Sequence, residues 1–199
     1  MHELPRSYAS AMIRMATAAD AEAAGRIYDP IVERTAISFE LDPPGPAEME
    51  RRIGEILPFA PWLVDERGGE VRGYAYASKH RDRAAYQWSV DVTVYVDPRH
   101  RREGLGKGLY TKLFRLLRLQ GFHAAHAGVT LPNGASVGLH EALGFRPVGV
   151  YRAVGYKLGA WHDVGWWQLE LRERAGEPRP PRTTAEAEKD PVWIEELAR

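Results

Sequence analysis

Asp97-Pro98-Arg99-His100-Arg101-Arg102-Glu103-Gly104-Leu105-Gly106-Lys107-Gly108 joins a segment that alternates like a strand to one that repeats like a helix. Upstream, Trp88 to Val96 puts Val90, Val92, Val94 and Val96 on one face and Asp91, Thr93 and Tyr95 on the other, until Asp97-Pro98 ends the strand. Downstream, Leu105, Leu109, Leu113, Leu116 and Leu117 mark an amphipathic helix that Gly121 is placed to stop. Glycines at 104, 106 and 108 let the backbone approach a ligand closely, and the free amides and dipole of a helix start favour an anion. The dipole alone contributes only ~0.3 to 1 kcal/mol at exposed sites, so the charges of Arg101, Arg102 and Lys107 are needed to grip a pyrophosphate. No Ser or Thr follows Gly106-Lys107 as a Walker A loop requires. Nor does an acidic residue end a following parallel strand about twenty residues on, as dinucleotide binding requires.

Working outward, Ile13 to Ala16 reads as a short strand, and Thr17 with Asp20 has the spacing of a capping box. Ala24, Ile27, Tyr28, Ile31 and Val32 then form one helical face, and a second helix runs from Ala47 to Leu57. Trp62 to Asp65 and Val71 to Ala77 form a hairpin about Gly68-Gly69. After the central helix come a strand over His123 to Leu131, a helix over Ala135 to Leu143, and aromatic-rich strands through Phe145 to Val154 and Val164 to Leu171. This order predicts one α/β domain over residues 13–172, a mixed, mostly antiparallel sheet with helices on both faces. Residues 1–12 read as an extension. Residues 173–199, rich in proline and charge, read as a mobile tail in which Val192-Trp193-Ile194 is the stretch able to dock.

Composition removes several function classes. Lys plus Arg and Asp plus Glu each number 27 in 199 residues, so no net field recommends nucleic acid or an anionic membrane as partner. The absence of cysteine excludes disulfides, thiolate metal sites and a cysteine nucleophile, and fits a cytoplasmic protein. His80, His123, His126 and His162 lack metal-ligand spacing and read as surface or core histidines, so no metal is expected. Trp88, Trp161, Trp166 and Trp167 read as core or interface residues.

Arg101-x-x-Gly104-x-Gly106 after Val94-Tyr95-Val96-Asp97-Pro98 resembles the signature of the GCN5-related N-acetyltransferases. Thr35 to Glu40, Ala85-Tyr86, Leu131-Pro132-Asn133, Leu139 to Phe145, Gly155-Tyr156-Lys157 and Trp161 to Gly165 narrow the likeness to the phosphinothricin acetyltransferase branch, over about Ile13 to Leu171. The resemblance implies the GNAT fold and direct transfer of acetyl from acetyl-CoA to the amino group of a small amino-acid-like acceptor of the phosphinothricin or methionine sulfoximine type. It implies that Val94, Tyr95 and Val96 line the pantetheine arm, that Arg101, Arg102, Glu103, Gly104, Leu105, Gly106, Lys107 and Gly108 wrap the pyrophosphate, and that Asn133 and Ser136 also bind the coenzyme. The same resemblance points to Phe39, Arg81, Arg83 and Tyr86 for the acceptor, since an α-carboxylate wants an arginine.

An α-amino group titrates near ~8 and attacks a thioester only when neutral, so a base is required. The branch carries a glutamate where this chain has Asp91, one methylene shorter, and a histidine at His140; these are the catalytic candidates. A homodimer through the C-terminal aromatic strands is also implied. Other acceptors (a protein N-terminus, a polyamine, an aminoglycoside) and a non-catalytic acyl-CoA sensor are the alternatives.

Overall fold

The computed structural model describes residues 12–199, so the expected extension lies outside the described residues except for Met12. Met12 instead opens strand β1 (Met12–Met15), which pairs antiparallel with β2 (Trp62–Arg67), Met12 standing opposite Glu66. Between these strands run α1 (Ala21–Arg34) and α2 (Gly45–Ile56). The Thr17–Asp20 spacing acts as read: the Asp20 carboxylate accepts from the Thr17 amide at 2.8 Å. The same carboxylate, 5% exposed, takes a two-pronged bond from Arg14 at 2.8 Å on each arm.

The chain continues through β3 (Glu70–Lys79), β4 (Ser89–Val96), α3 (Leu105–Gln120), β5 (Ala124–Leu131), α4 (Gly134–Ala142), β6 (Arg146–Lys157) and β7 (Ala160–Glu170), the order that the sequence predicts. Gly68 and Gly69 turn β2 into β3 at φ 62° and 77°, conformations that strain any side-chain-bearing residue. One sheet results, ordered β1-β2-β3-β4-β5-β7-β6, with β4–β5 its parallel contact and every other pairing antiparallel.

Alternation divides the sheet between two cores. Leu63, Val90, Val92, Ala125 and Ala127 face α3, whose Leu109, Leu113, Leu116 and Leu117 are fully buried. Trp62, Val64 and Tyr74 face α1 and α2 with Ile27, Val32, Met49 and Ile53. Each such aliphatic side chain contributes about 1.5–3 kcal/mol on burial, and together these layers hold β4 rigidly at the centre.

The expected mobile tail is replaced by two short docked helices, α5 (Thr184–Ala187) and α6 (Pro191–Ala198). Trp193 is 1% exposed in the α3 core. Arg115 of α3 donates to Glu196 at 2.9 Å, and the Gln120 amide donates to the Arg182 carbonyl at 3.0 Å. Lys112 of α3 donates to the carbonyls of Leu197 (2.8 Å) and Ile13 (3.4 Å), so both ends of the described chain meet on one helix. The stretch named as able to dock does so because a single aromatic side chain, burying roughly 150–250 Å², outweighs its polar neighbours.

Candidate active site

The glycine-rich loop forms the turn that its sequence demands. Gly104 caps α3 in the left-handed region (φ 81°, ψ 0°) with open space around it, so backbone conformation rather than room requires glycine there. The first helical bond runs from the Gly108 amide to the Gly104 carbonyl at 3.0 Å, which leaves the amides of Leu105, Gly106 and Lys107 without backbone partners. Arg101, Arg102 and Lys107 are exposed and enter no ion pair among the described residues. Glu103 is turned aside to His100 at 3.2 Å. A Cβ on Gly106 would stand 3.4 Å from Leu139 and 3.7 Å from Val96, so the helix start is wedged between α4 and β4.

Beside this turn the sheet opens. β4 and β5 share three rungs, Ser89 with Ala124, Val90 with Ala125 and Asp91 with His126, and then part. Asp97 donates to the Arg72 carbonyl at 2.8 Å, so by alternation Tyr95, Thr93 and Asp91 exchange bonds with β3. The amides and carbonyls of Val92, Val94 and Val96 therefore point away from β3 into the gap. The narrow cleft there, about 90 Å³, is lined by Val94, Tyr95, Tyr110, Asn133, Ser136 and His140 among others.

At the α4 wall, Asn133 caps the helix by accepting from the Ser136 amide at 3.1 Å. His140, 4% exposed, donates from Nδ1 to the Ser136 carbonyl at 2.7 Å, and its Nε2 accepts from the Tyr110 hydroxyl at 3.3 Å. Burial pushes the His140 pKa down, against the opposing pull of the Ser136 bond. Tyr110 escaped the sequence reading; it stands one helical turn beyond Gly106, on the face turned to α4.

The other end of the gap holds Asp91. Its carboxylate accepts from His80 Nδ1 at 2.7 Å, and burial raises its pKa above the usual carboxylate value while the His80 bond opposes that rise. The His80 ring stacks on His126 (centroids 4.2 Å apart, planes 16° from parallel), with Tyr86 and Trp166 edge-on at 6.0 and 6.3 Å. Desolvation, with the nearby charges of His80 and Arg81, pushes the His126 pKa down to about 4, so this ring is neutral at physiological pH. Both histidines were read as surface or core residues, and the structure brings them to the candidate base. A signal existed for His80: Ser78 is the register partner of Asp91, and His80 is two residues beyond it, where a strand returns to the same face.

Of the residues assigned to the acceptor, Tyr86 and Arg81 join this cluster, the Arg81 guanidinium lying 6.0 Å from the Trp166 ring centre. Arg83 is exposed at the start of the short turn Ala84–Tyr86, and no hydrogen bond or ion pair among the described residues draws its side chain in. Phe39 packs on Gly155 of β6. Its segment is anchored by Lys157, which donates to the carbonyls of Val32 (2.6 Å) and Ser38 (2.8 Å), and neighbouring Ile37 reaches the cleft.

A family model described as Acetyltransferase (GNAT) domain matches residues 13–166. The chain belongs to the GNAT acetyltransferases. It is 46% identical over 170 residues to a phosphinothricin N-acetyltransferase of Streptomyces viridochromogenes, covering 85% of this chain and 92% of the relative. It is 34% identical to an L-methionine sulfoximine/L-methionine sulfone acetyltransferase of Salmonella typhimurium, covering 82% and 96%. The crystal structure of a GNAT superfamily phosphinothricin acetyltransferase from Sinorhizobium meliloti, in complex with acetyl-CoA, superposes with a TM-score of 0.81 at 36% identity, covering 85% and 93%.

Acetyl-CoA is the co-substrate of a GNAT enzyme, and this one has groups that fit it: free amides and unpaired cations for a diphosphate, and outward-facing β4 peptide groups for an amide-bearing arm. Helices α5 and α6 lie beyond the residues that the GNAT family model matches. Among the described residues no helix is long and apolar enough to cross a membrane, and no group of three or more His, Asp or Glu could hold a metal ion.

Proposed function

We propose that this acetyltransferase acts on the amino group of a small amino-acid-like acceptor of the phosphinothricin or methionine sulfoximine type, by direct transfer in a ternary complex. The observation that carries this reading is the placement of Asp91 on the last rung before β4 and β5 part. A carboxylate there sits at the vertex of a gap whose β4 wall offers the Val94 and Val96 peptide groups and whose far end opens toward the Gly104 turn.

In this reading the pantetheine arm pairs with Val94 and Val96 like an added strand, an amide near Val94 polarises the thioester carbonyl, and the Arg101 to Gly108 turn wraps the pyrophosphate. Asn133 and Ser136 contact the coenzyme from the start of α4. Asp91 supplies the carboxylate of the base, and His140 serves as an accessory acid, base or orienting group. Arg81, with Tyr86 and Phe39, receives the acceptor; a guanidinium favours an α-carboxylate over a polycationic amine.

Two further assignments accompany this one. Val148, Tyr151, Val154, Tyr156 and Trp161 on β6 and β7 are 51–66% exposed, an apolar face suited to a second copy of the chain. The cysteine-free sequence suits the cytoplasm.

An amine panel assayed by free-thiol release tests the function. Amino acids and analogues with a free α-carboxylate are expected to release thiol, and their amides to do so far more weakly. Thiol release confined to polyamines, aminoglycosides or peptide N-termini would overturn the acceptor assignment.

A further inference from the structure

The carboxylate assigned to the base is already engaged. Oδ1 of Asp91 holds the Nδ1 proton of His80 at 2.7 Å, which fixes the tautomer and leaves Nε2 of that ring with a lone pair. Nε2 has no hydrogen-bond partner among the described residues, and the His80 side chain retains 14% exposure. Orientation is over-determined: His126 stacks on one face, and Tyr86 and Trp166 meet the ring edge-on.

We propose that Nε2 of His80 is the atom that takes the proton from the acceptor amine, with Asp91 holding the imidazole from behind. This deepens the acetyl-transfer reading and rests on it. An imidazole, titrating near ~6.5, is a better match for an ammonium near ~8 than a carboxylate near ~4, and a base backed by an orienting acid group is the recurrent arrangement for such a transfer. The groups facing His80 permit the charge that it gains. Asp91 from β4 stabilises an imidazolium, His126 from β5 is neutral, and the loop after β3 contributes Tyr86 and Arg81, whose guanidinium lies on Trp166 of β7.

The step balances. The ammonium gives one proton to Nε2, and the neutral nitrogen forms a bond to the thioester carbon. The carbon–sulfur bond breaks with its electron pair on sulfur, the nitrogen's second proton ends on that thiolate, and the imidazolium returns its proton to solvent.

His80→Asn tests the assignment, because an amide N–H can still serve Asp91 from the Nδ1 position while no basic nitrogen remains. Expected are a fall in kcat of at least a hundredfold, acetyl-CoA affinity within threefold of wild type, and loss of an acid limb in kcat. In wild type that limb does not move between acceptors of different amine basicity. Asp91→Asn is expected to lower kcat at least tenfold, keep the limb and shift it to lower pH, since the carboxylate that favours imidazolium is gone.

Turnover of His80→Asn within threefold of wild type, with the same limb, would overturn the proposal and leave the acetyl-transfer reading intact. If that variant fails to bind acetyl-CoA, the wild-type His80 imidazole is titrated by NMR, and a midpoint away from the kinetic limb overturns the proposal. Wild-type protein that releases thiol with no amine overturns both readings.

Discussion

Phe39 occupies the space that a side chain at residue 155 would need: a Cβ built on Gly155 stands 2.1 Å from Phe39 Cε2. Gly155→Ala must therefore expel the ring from its seat beside β6. We expect a loss of about 1–3 kcal/mol in denaturant melts, typical of overpacking, together with a raised KM for the acceptor and unchanged affinity for acetyl-CoA. A variant with wild-type stability and acceptor KM would show that Phe39 has somewhere else to go at no cost.

Arg81 and Arg83 are two residues apart and are predicted to behave differently. Arg81 lies over Trp166 beside the Asp91 cluster, whereas Arg83 points to solvent. A hydrogen bond to a charged group is worth about 1.5–3 kcal/mol, so Arg81→Ala should raise the acceptor KM roughly tenfold or more and leave that of acetyl-CoA nearly unchanged. Arg83→Ala should change either constant by less than about threefold, as surface charges usually do. Steady-state kinetics with both substrates varied would expose the reverse pattern.

The Arg14–Asp20 pair gives a pH-dependent contribution to stability. Burial raises the Asp20 pKa, but the bonds from Arg14 and Thr17 outweigh it, and the folded-state value lies below the ordinary 3.8. A depressed carboxylate stabilises fully above its unfolded value and loses that contribution as pH falls through the folded one. Asp20→Asn should thus cost about 2–3 kcal/mol at neutral pH, less than for a lone buried pair because Arg14 keeps Glu66 at 2.6 Å. The cost should shrink in urea melts as pH falls below 3.8 and through the depressed folded value. An equal cost at pH 7 and pH 3 would remove the ion pair from the explanation.

Trp193→Ala probes the dock of the C-terminal helices. The indole is 1% exposed, and emptying such a site costs about 3–5 kcal/mol. Thermal unfolding should shift down by several degrees, and Arg115 and Gln120 should gain solvent exchange. An unchanged melting point would mean that the segment contributes nothing to the fold.

The sheet and its helices were legible because period-2 and helical repeats survive in a single sequence: Val90 to Val96, Leu105 to Leu117 and the Gly68-Gly69 turn each specify their own local geometry. The glycine loop was legible for the same reason, since positive φ at Gly104 and close packing at Gly106 are local demands. What stayed hidden depends on pairing across the chain. His80 bonds Asp91, and His126 stacks on His80, through strand registers that pair distant segments, and Tyr110 meets His140 through the packing of two helices. The mobility expected of the tail fails for the opposite reason, because one indole, in the stretch singled out as able to dock, decides what an average over polar residues conceals.

Lys112 clasps the carbonyls of Ile13 and Leu197, and Met12 and Ala198 line the same hollow beside it. The two ends of the described residues, Met12 and Ala198-Arg199, are thus neighbours. A circular permutant, spliced across that hollow and reopened between Gly68 and Gly69, would keep every rung of the sheet while reversing which half emerges first from the ribosome. Fusion partners attached at the carboxyl end, by contrast, would push directly on the central helix, because Arg199 shares a hollow with Gly104, Lys107 and Arg115.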